Sequence, residues 1–122
     1  MSPSPILDIY SVTLATIESN SLSIPITIEQ TEKEIVETLG LIDSGAGGKF
    51  IDQNFAKKAG FKIQKLKKPM IAQNVDGTKN KTGMITSFVT LNLKINGRTT
   101  ITDLMVTGLG KQKIILGFPW LK

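Results

Sequence analysis

The chain has 122 residues, with fifteen Lys and Arg, ten Asp and Glu, and neither Cys nor His. That length suits one compact domain and is too short for two. Without Cys or His, disulfides, thiol catalysis, His-dependent triads and ordinary zinc sites are excluded, and the carboxylates remain as the only acid–base groups that work near neutral or acid pH.

Charge is unevenly spread. Residues 1–40 carry a net −5 and residues 41–122 a net +10, with six lysines between positions 57 and 68. Such a run reads either as a nucleic-acid patch or as the solvated face of a helix and the strand after it. The absence of interleaved aromatic residues favours the solvated face. No apolar run approaches the roughly 20 residues of a membrane span. The opening Met-Ser-Pro-Ser-Pro lacks the basic stretch and apolar run of a secretory signal. A soluble, non-secreted, cytoplasmic protein is expected.

In chain order, residues 1–8 are rich in Ser and Pro and read as a linker or arm, leaving 9–122 as the domain. Short β-favouring runs follow at 10–17, 22–28 and 35–42. In the second, Ile24, Ile26 and Ile28 alternate with Pro25, Thr27 and Glu29, the period of a half-buried strand. Pro25 marks an edge or a strand start. Residues 31–34 are polar and turn the chain. Asp43-Ser44-Gly45-Ala46-Gly47-Gly48 reads as a tight loop. Asp52 then caps a short helix over 53–59, which Gly60 ends. Phe61, Ile63 and Leu66 return to strand-like spacing. Asp76-Gly77 is a hairpin signal, residues 84–95 are β-rich, and Asn96-Gly97 is a second hairpin signal from which 98–106 pair back. Residues 114–117 read as a short buried strand, and 118–121 open a final short helix. About eight short strands with one or two short helices predict an all-β barrel or sandwich.

Asp43 stands at the end of an apolar run, where an acid is drawn partly out of water, and the glycines after it let backbone approach closely. Ser44 offers a hydroxyl beside it. The bare tripeptide Asp-Ser-Gly is also an ordinary turn, so the context decides. Leu41-Ile42-Asp43-Ser44-Gly45-Ala46 resembles the active-site motif of the retropepsin family of aspartic proteases, two apolar residues followed by Asp-Thr/Ser-Gly-Ala. Ile114-Ile115-Leu116-Gly117 resembles that family's second signature, an apolar strand ending in Gly. Phe50-Ile51-Asp52, the segment from Phe55 to Phe61, Asn74-Val75-Asp76-Gly77-Thr78 and the run from Ile115 to Leu121 are similar to proteases of Gypsy-type (Metaviridae) long-terminal-repeat retrotransposons. The resemblance runs from about Leu22 to Lys122.

That resemblance implies a retropepsin-like barrel acting as a homodimer, with Asp43 of each subunit as catalyst and Ser44, Gly45 and Ala46 as its supporting loop. It implies a flap within 75–85, with Val75, Asp76, Gly77, Thr78, Met84 and Ile85 as flap or substrate-binding residues. It also implies an extended polypeptide substrate from a retroelement polyprotein, and a place within virus-like particles. No metal or organic cofactor is implied, and no membrane partner. The physics points the same way: two carboxylates held close cannot both ionise comfortably, so they share a proton, and one then serves as base while the other serves as acid. The sequence holds a single Asp-Ser/Thr-Gly, so a second copy of the motif has to come from a second chain.

The bland readings stand beside these. Phe50, Phe55, Phe61 and Trp120 read as core, Asp52 as a helix cap, Asp103 as a surface or strand-end residue, and Met84 and Ile85 equally as strand packing. Two rival functions remain open: a silent protease-like binding or scaffold module, and a basic nucleic-acid-binding domain.

Overall fold

A computed structural model describes residues 10–13, 21–30, 33–43, 46–73 and 79–117. Among these residues the elements are β1 (Tyr10–Thr13), β2 (Ser21–Glu29), β3 (Ile35–Asp43), β4 (Lys49–Asp52), α1 (Gln53–Ala59), β5 (Gln64–Gln73), β6 (Lys79–Ile95), β7 (Arg98–Thr107) and β8 (Ile114–Leu116). The eight strands form one sheet in the order β1-β5-β6-β2-β3-β8-β4-β7, and β6 pairs with β7 as well. That extra pairing closes the six strands β6-β2-β3-β8-β4-β7 into a barrel, and closure removes the open edges that invite unwanted strand pairing. β5 and β1 extend from β6 outside the ring.

The 17-residue β6 belongs to both parts. Residues 79–88 pair with β5 in a hairpin that stands off the barrel, and residues 87–95 pair with β7 inside it. The turn into β7 is Asn96-Gly97, with φ of 51° and 80°. Positive φ at both central residues gives a type I′ turn, whose twist matches the strands it joins.

The barrel interior follows from alternation. Ile26 and Ile28 of β2 meet Val89, Leu91, Leu93 and Ile95 of β6, and Ile51, Leu104, Ile114 and Leu116 fill the space from the other strands. The helix closes one flank, with Ala56 buried and Phe61 just beyond it packed into the same core. Asp52 caps α1 in extended geometry, and Gly60 ends it in the left-handed region at φ 75°. The Phe61 N–H then reaches back to the Ala56 carbonyl at 3.1 Å. Phe55 and Phe61 meet edge to face, with centroids 5.7 Å apart.

The helix boundaries and the Asn96-Gly97 hairpin stand where the sequence placed them. Other boundaries differ. The run expected over 10–17 is a strand over Tyr10–Thr13, with 14–20 outside the described residues. Phe61 and Ile63 do not begin a strand: Phe61 turns into the barrel core, Ile63 faces outward, and β5 starts at Gln64. The strand expected to begin at Met84 begins at Lys79. β4 was not expected at all. It is buried on both faces, so Phe50 and Ile51 are both apolar and show no alternation. The Gln30 N–H donates to the Glu34 carbonyl at 3.0 Å, and of the polar turn expected over 31–34, residues 31 and 32 lie outside the described residues. The arm at 1–8, the helix expected over 118–121 and Trp120 lie outside the described residues.

Candidate active site

Asp43 is the last residue of β3 and is 4% exposed. It is held from two sides: Ser21 of β2 lies opposite Asp43 itself, and the preceding Ile42 lies opposite Leu116 of β8. The Ala46 N–H donates to the Asp43 carbonyl at 3.1 Å. Ala46 is buried at 1% exposure. Ser44 and Gly45, expected as the supporting residues of this loop, lie outside the described residues.

The far end of the same loop is pinned by β8. The Gly117 N–H donates to the Gly48 carbonyl at 2.8 Å. A side chain on Gly117 would strike the Ala46 carbonyl oxygen, and would come within 2.5 Å of the Gly48 oxygen. These are backbone atoms and cannot rotate aside, so the glycine is required by the close approach of two chains. The two sequence signatures are therefore one physical unit.

Strand pairing places an apolar row beside the acid. Leu41 of β3 lies opposite Ile115 of β8, Ile115 opposite Phe50 of β4, and Phe50 opposite Met105 of β7. Leu41 is two residues before Asp43 and so shares its face of β3. A second hydrophobic cluster forms here, separate from the barrel core. Ala46, Phe50, Ile85 and Ile115 are its buried members, with Leu41, Leu66, Met70, Met105 and Leu109 packed against them. Leu66, Met70 and Ile85 come from the β5–β6 hairpin. That hairpin therefore lies over an apolar floor whose margin is the Asp43 loop.

Within the hairpin, Met70 pairs with Ile85, Ile71 with Met84 and Gln73 with Lys79, with register shifts along the ladder. Ile85 is fully buried in the floor cluster, whereas Met84, one residue earlier and on the other face, is 41% exposed. Val75, Asp76, Gly77 and Thr78, at the expected tip, lie outside the described residues.

The other carboxylates are placed elsewhere. Asp52 Oδ2 accepts the Phe55 N–H at 3.1 Å, and its Oδ1 accepts the Leu109 N–H at 3.0 Å. Asp103 is exposed on β7 and accepts a hydrogen bond from the Thr90 hydroxyl at 2.6 Å. Among the described residues, no group of three His, Cys, Asp or Glu is arranged to hold a metal ion. An open pocket lined in part by Glu29, Lys62 and Asn92 lies at the opposite end of β2 from Ser21, away from Asp43.

Sequence reasoning did not single out the floor. Leu41 and Ile115 entered only as apolar positions of the motifs, Phe50 as core and as part of a family-like segment, and Leu109 not at all. The usable signal was the doublet Phe50-Ile51, which marks a strand with two buried faces.

A closed six-strand barrel, a buried Asp at a strand end and a glycine-pinned loop under a long hairpin define a retropepsin-like protease domain. The sequence model of the PEG10/RTL1 protease domain matches residues 39–122, from the middle of β3 through both signatures. The chain belongs to that family. No curated protein matches it.

Proposed function

We propose that this domain is an aspartic endopeptidase, active as a homodimer, in which the two Asp43 carboxylates act on one water molecule. The observation that carries the reading is the placement of Asp43. It is the buried acid at the margin of an apolar floor, on a loop that β8 holds by backbone contact. Two such acids brought together across a two-fold axis share one proton. The ionised member takes a proton from the water, and the protonated member donates one to the carbonyl of the bond being cut.

The substrate in this reading is an extended polypeptide. The β5–β6 hairpin serves as the flap over it, with 75–78 at the tip and Met84 on the hairpin's exposed face. Descent from a Gypsy-type (Metaviridae) retroelement, a polyprotein substrate and a cytoplasmic place in virus-like particles belong to the same proposal. They rest on the resemblance of the motifs around Asp43, while the family match supports the retropepsin-like protease domain beneath them.

Peptide cleavage near about pH 5, where a shared-proton pair of carboxylates works, tests the proposal. Parental protein and Asp43→Asn are compared over a wide range of protein concentration. Cleavage is expected to vanish in the variant, whose fold is retained, and to rise faster than linearly with dilute parental enzyme. Cleavage by Asp43→Asn at the parental rate removes Asp43 as the catalyst. No parental cleavage at any concentration, with sedimentation as a monomer throughout, selects the silent module instead.

A further inference from the structure

Capping a seven-residue helix takes one acceptor oxygen, and a serine supplies it. Asp52 supplies two, because an ionised carboxylate is all acceptor. Its Oδ2 caps α1 at the Phe55 N–H, while its Oδ1 takes the N–H of Leu109, 57 residues away. Its own backbone N–H donates to the Lys113 carbonyl at 2.8 Å. Leu109 and Lys113 lie near the two ends of the loop, residues 108–113, that joins β7 to β8. One residue therefore grips both ends of that loop.

The rest of the loop is built to be held this way. Gln112 N–H donates to the Leu109 carbonyl at 3.3 Å, closing the turn, and Gly110 sits in the left-handed region at φ 66°. The Lys113 ammonium lies 5.4 Å from the centre of the Phe55 ring, a second tie between the loop and α1. The outer residues Gly110 and Lys111 are exposed, whereas the Leu109 side chain turns inward and packs on the floor cluster with Ala46, Phe50, Ile85 and Ile115.

We propose that Asp52 is a positioning residue for substrate selection: it fixes the Leu109 loop against the floor beside Asp43, and so sets which apolar substrate side chains fit there. The proposal rests on the proteolytic reading, because it assigns the floor to substrate. Asp52 touches no reacting atom and acts only through Leu109. A loop released at Leu109 leaves the cap, the barrel and the Asp43 loop in place and alters the shape of one wall.

Two substitutions separate the cap from the clamp. Asp52→Ser keeps one acceptor for the Phe55 N–H and cannot reach Leu109 as well. Asp52→Asn keeps the shape of the side chain but has one acceptor oxygen for two N–H groups, and it is read in the same way if the serine variant folds poorly. The first readout is amide hydrogen exchange in the full chain. Protection at Leu109 is expected to fall at least about tenfold, while Ile114 and Val89 keep theirs, as local opening differs from global unfolding. The second is the ratio of kcat/KM for two peptides that differ only in leucine or valine beside the cut bond. It is expected to shift by about tenfold, the size of effect that one methylene in an apolar pocket produces. A merely structural role lowers both rates together and leaves the ratio alone.

Unchanged protection at Leu109 overturns the clamp. Lost protection with an unchanged peptide ratio, in an active enzyme, overturns the role in selection while leaving the proteolytic reading intact. A parental protein that cuts neither peptide overturns the proteolytic reading and the selection role with it, and the exchange data still decide whether Asp52 holds the loop.

Discussion

The strands β3, β8 and β4 lie side by side and present two unlike surfaces. On one, Gly40, Ile114 and Ile51 form a row facing the barrel interior, and the side chain of Ile26 occupies the space above Gly40. On the other, Leu41, Ile115 and Phe50 form a row beneath the hairpin. Ile114 and Ile51 are both wholly buried. The second row is graded: Phe50 is at 0% exposure, Ile115 at 8%, and Leu41 is half-buried beside Asp43. The interior face is finished by packing alone. The other face opens progressively toward the acid, and in the proposed proteolytic reading that is where a substrate side chain finds apolar surface still uncovered. Adjacent residues of one strand thus face different surfaces, Ile114 the barrel interior and Ile115 the floor that the proposed reading gives to substrate.

The largest effect that tests this division is a pair of truncations. Ile114→Ala removes a fully buried side chain and is expected to cost about 2–5 kcal/mol, read by urea denaturation. Ile115→Ala removes the same atoms from a face that is partly open, and its cost is expected at the low end of that range. Catalysis per folded molecule is expected to reverse the order. Ile114→Ala retains the parental kcat/KM once corrected for the folded fraction, whereas Ile115→Ala loses about tenfold against peptides with large apolar side chains. Equal losses of specific activity in the two variants break the comparison.

Gly117→Ala sharpens it, because that glycine lies where the two surfaces meet. Its added methyl meets the Ala46 and Gly48 carbonyl oxygens, so the Asp43 loop must shift. Overpacking of this kind costs about 1–3 kcal/mol. The loss of cleavage is expected to exceed what that destabilisation explains, since the shift falls on the loop that aims Asp43. Measuring the melting temperature and kcat on the same preparation separates the two contributions. A variant with lowered stability and full activity shows that the loop is not aimed by β8.

How much of this was legible in the sequence depended on how local each feature is. The helix over 53–59 was readable because Asp52 and Gly60 are cap signals directly flanking it, and Asn96-Gly97 announced its turn by an equally local signal. Asp43 stood out through a six-residue context rather than through any property of a lone acid. β4 escaped because a strand buried on both faces has no period to detect. The floor escaped because it is assembled by register: Leu41, Ile115 and Phe50 become neighbours only through the parallel β3–β8 pairing and the antiparallel β4–β8 pairing, which no local pattern encodes. Asp52 was correctly read as a cap, yet its second bond to Leu109 spans 57 residues and leaves no trace in the segment around it. The run of lysines resolves into exposed positions on and after α1, with Lys57 and Lys58 in the helix's last turn, where cations favour the carbonyl end of the helix dipole.

The smallest expected effect supplies the baseline against which both rows are judged. Thr90 and Asp103 lie directly opposite each other on β6 and β7, and both are exposed. Their 2.6 Å hydrogen bond points into water and belongs to neither hydrophobic cluster. In Thr90→Val the bond is lost, but the branched shape that suits a strand is kept. An exposed cross-strand pair of this kind contributes roughly 0.2–1 kcal/mol. The expected change is therefore below about 1 kcal/mol in urea denaturation, with cleavage unaltered. The position is informative because Thr90 sits beside Val89 and Leu91, two members of the barrel core. If Thr90→Val costs as much as Ile114→Ala, the outer face of β6–β7 contributes to the barrel as strongly as its interior, and burial no longer explains which side chains hold the fold.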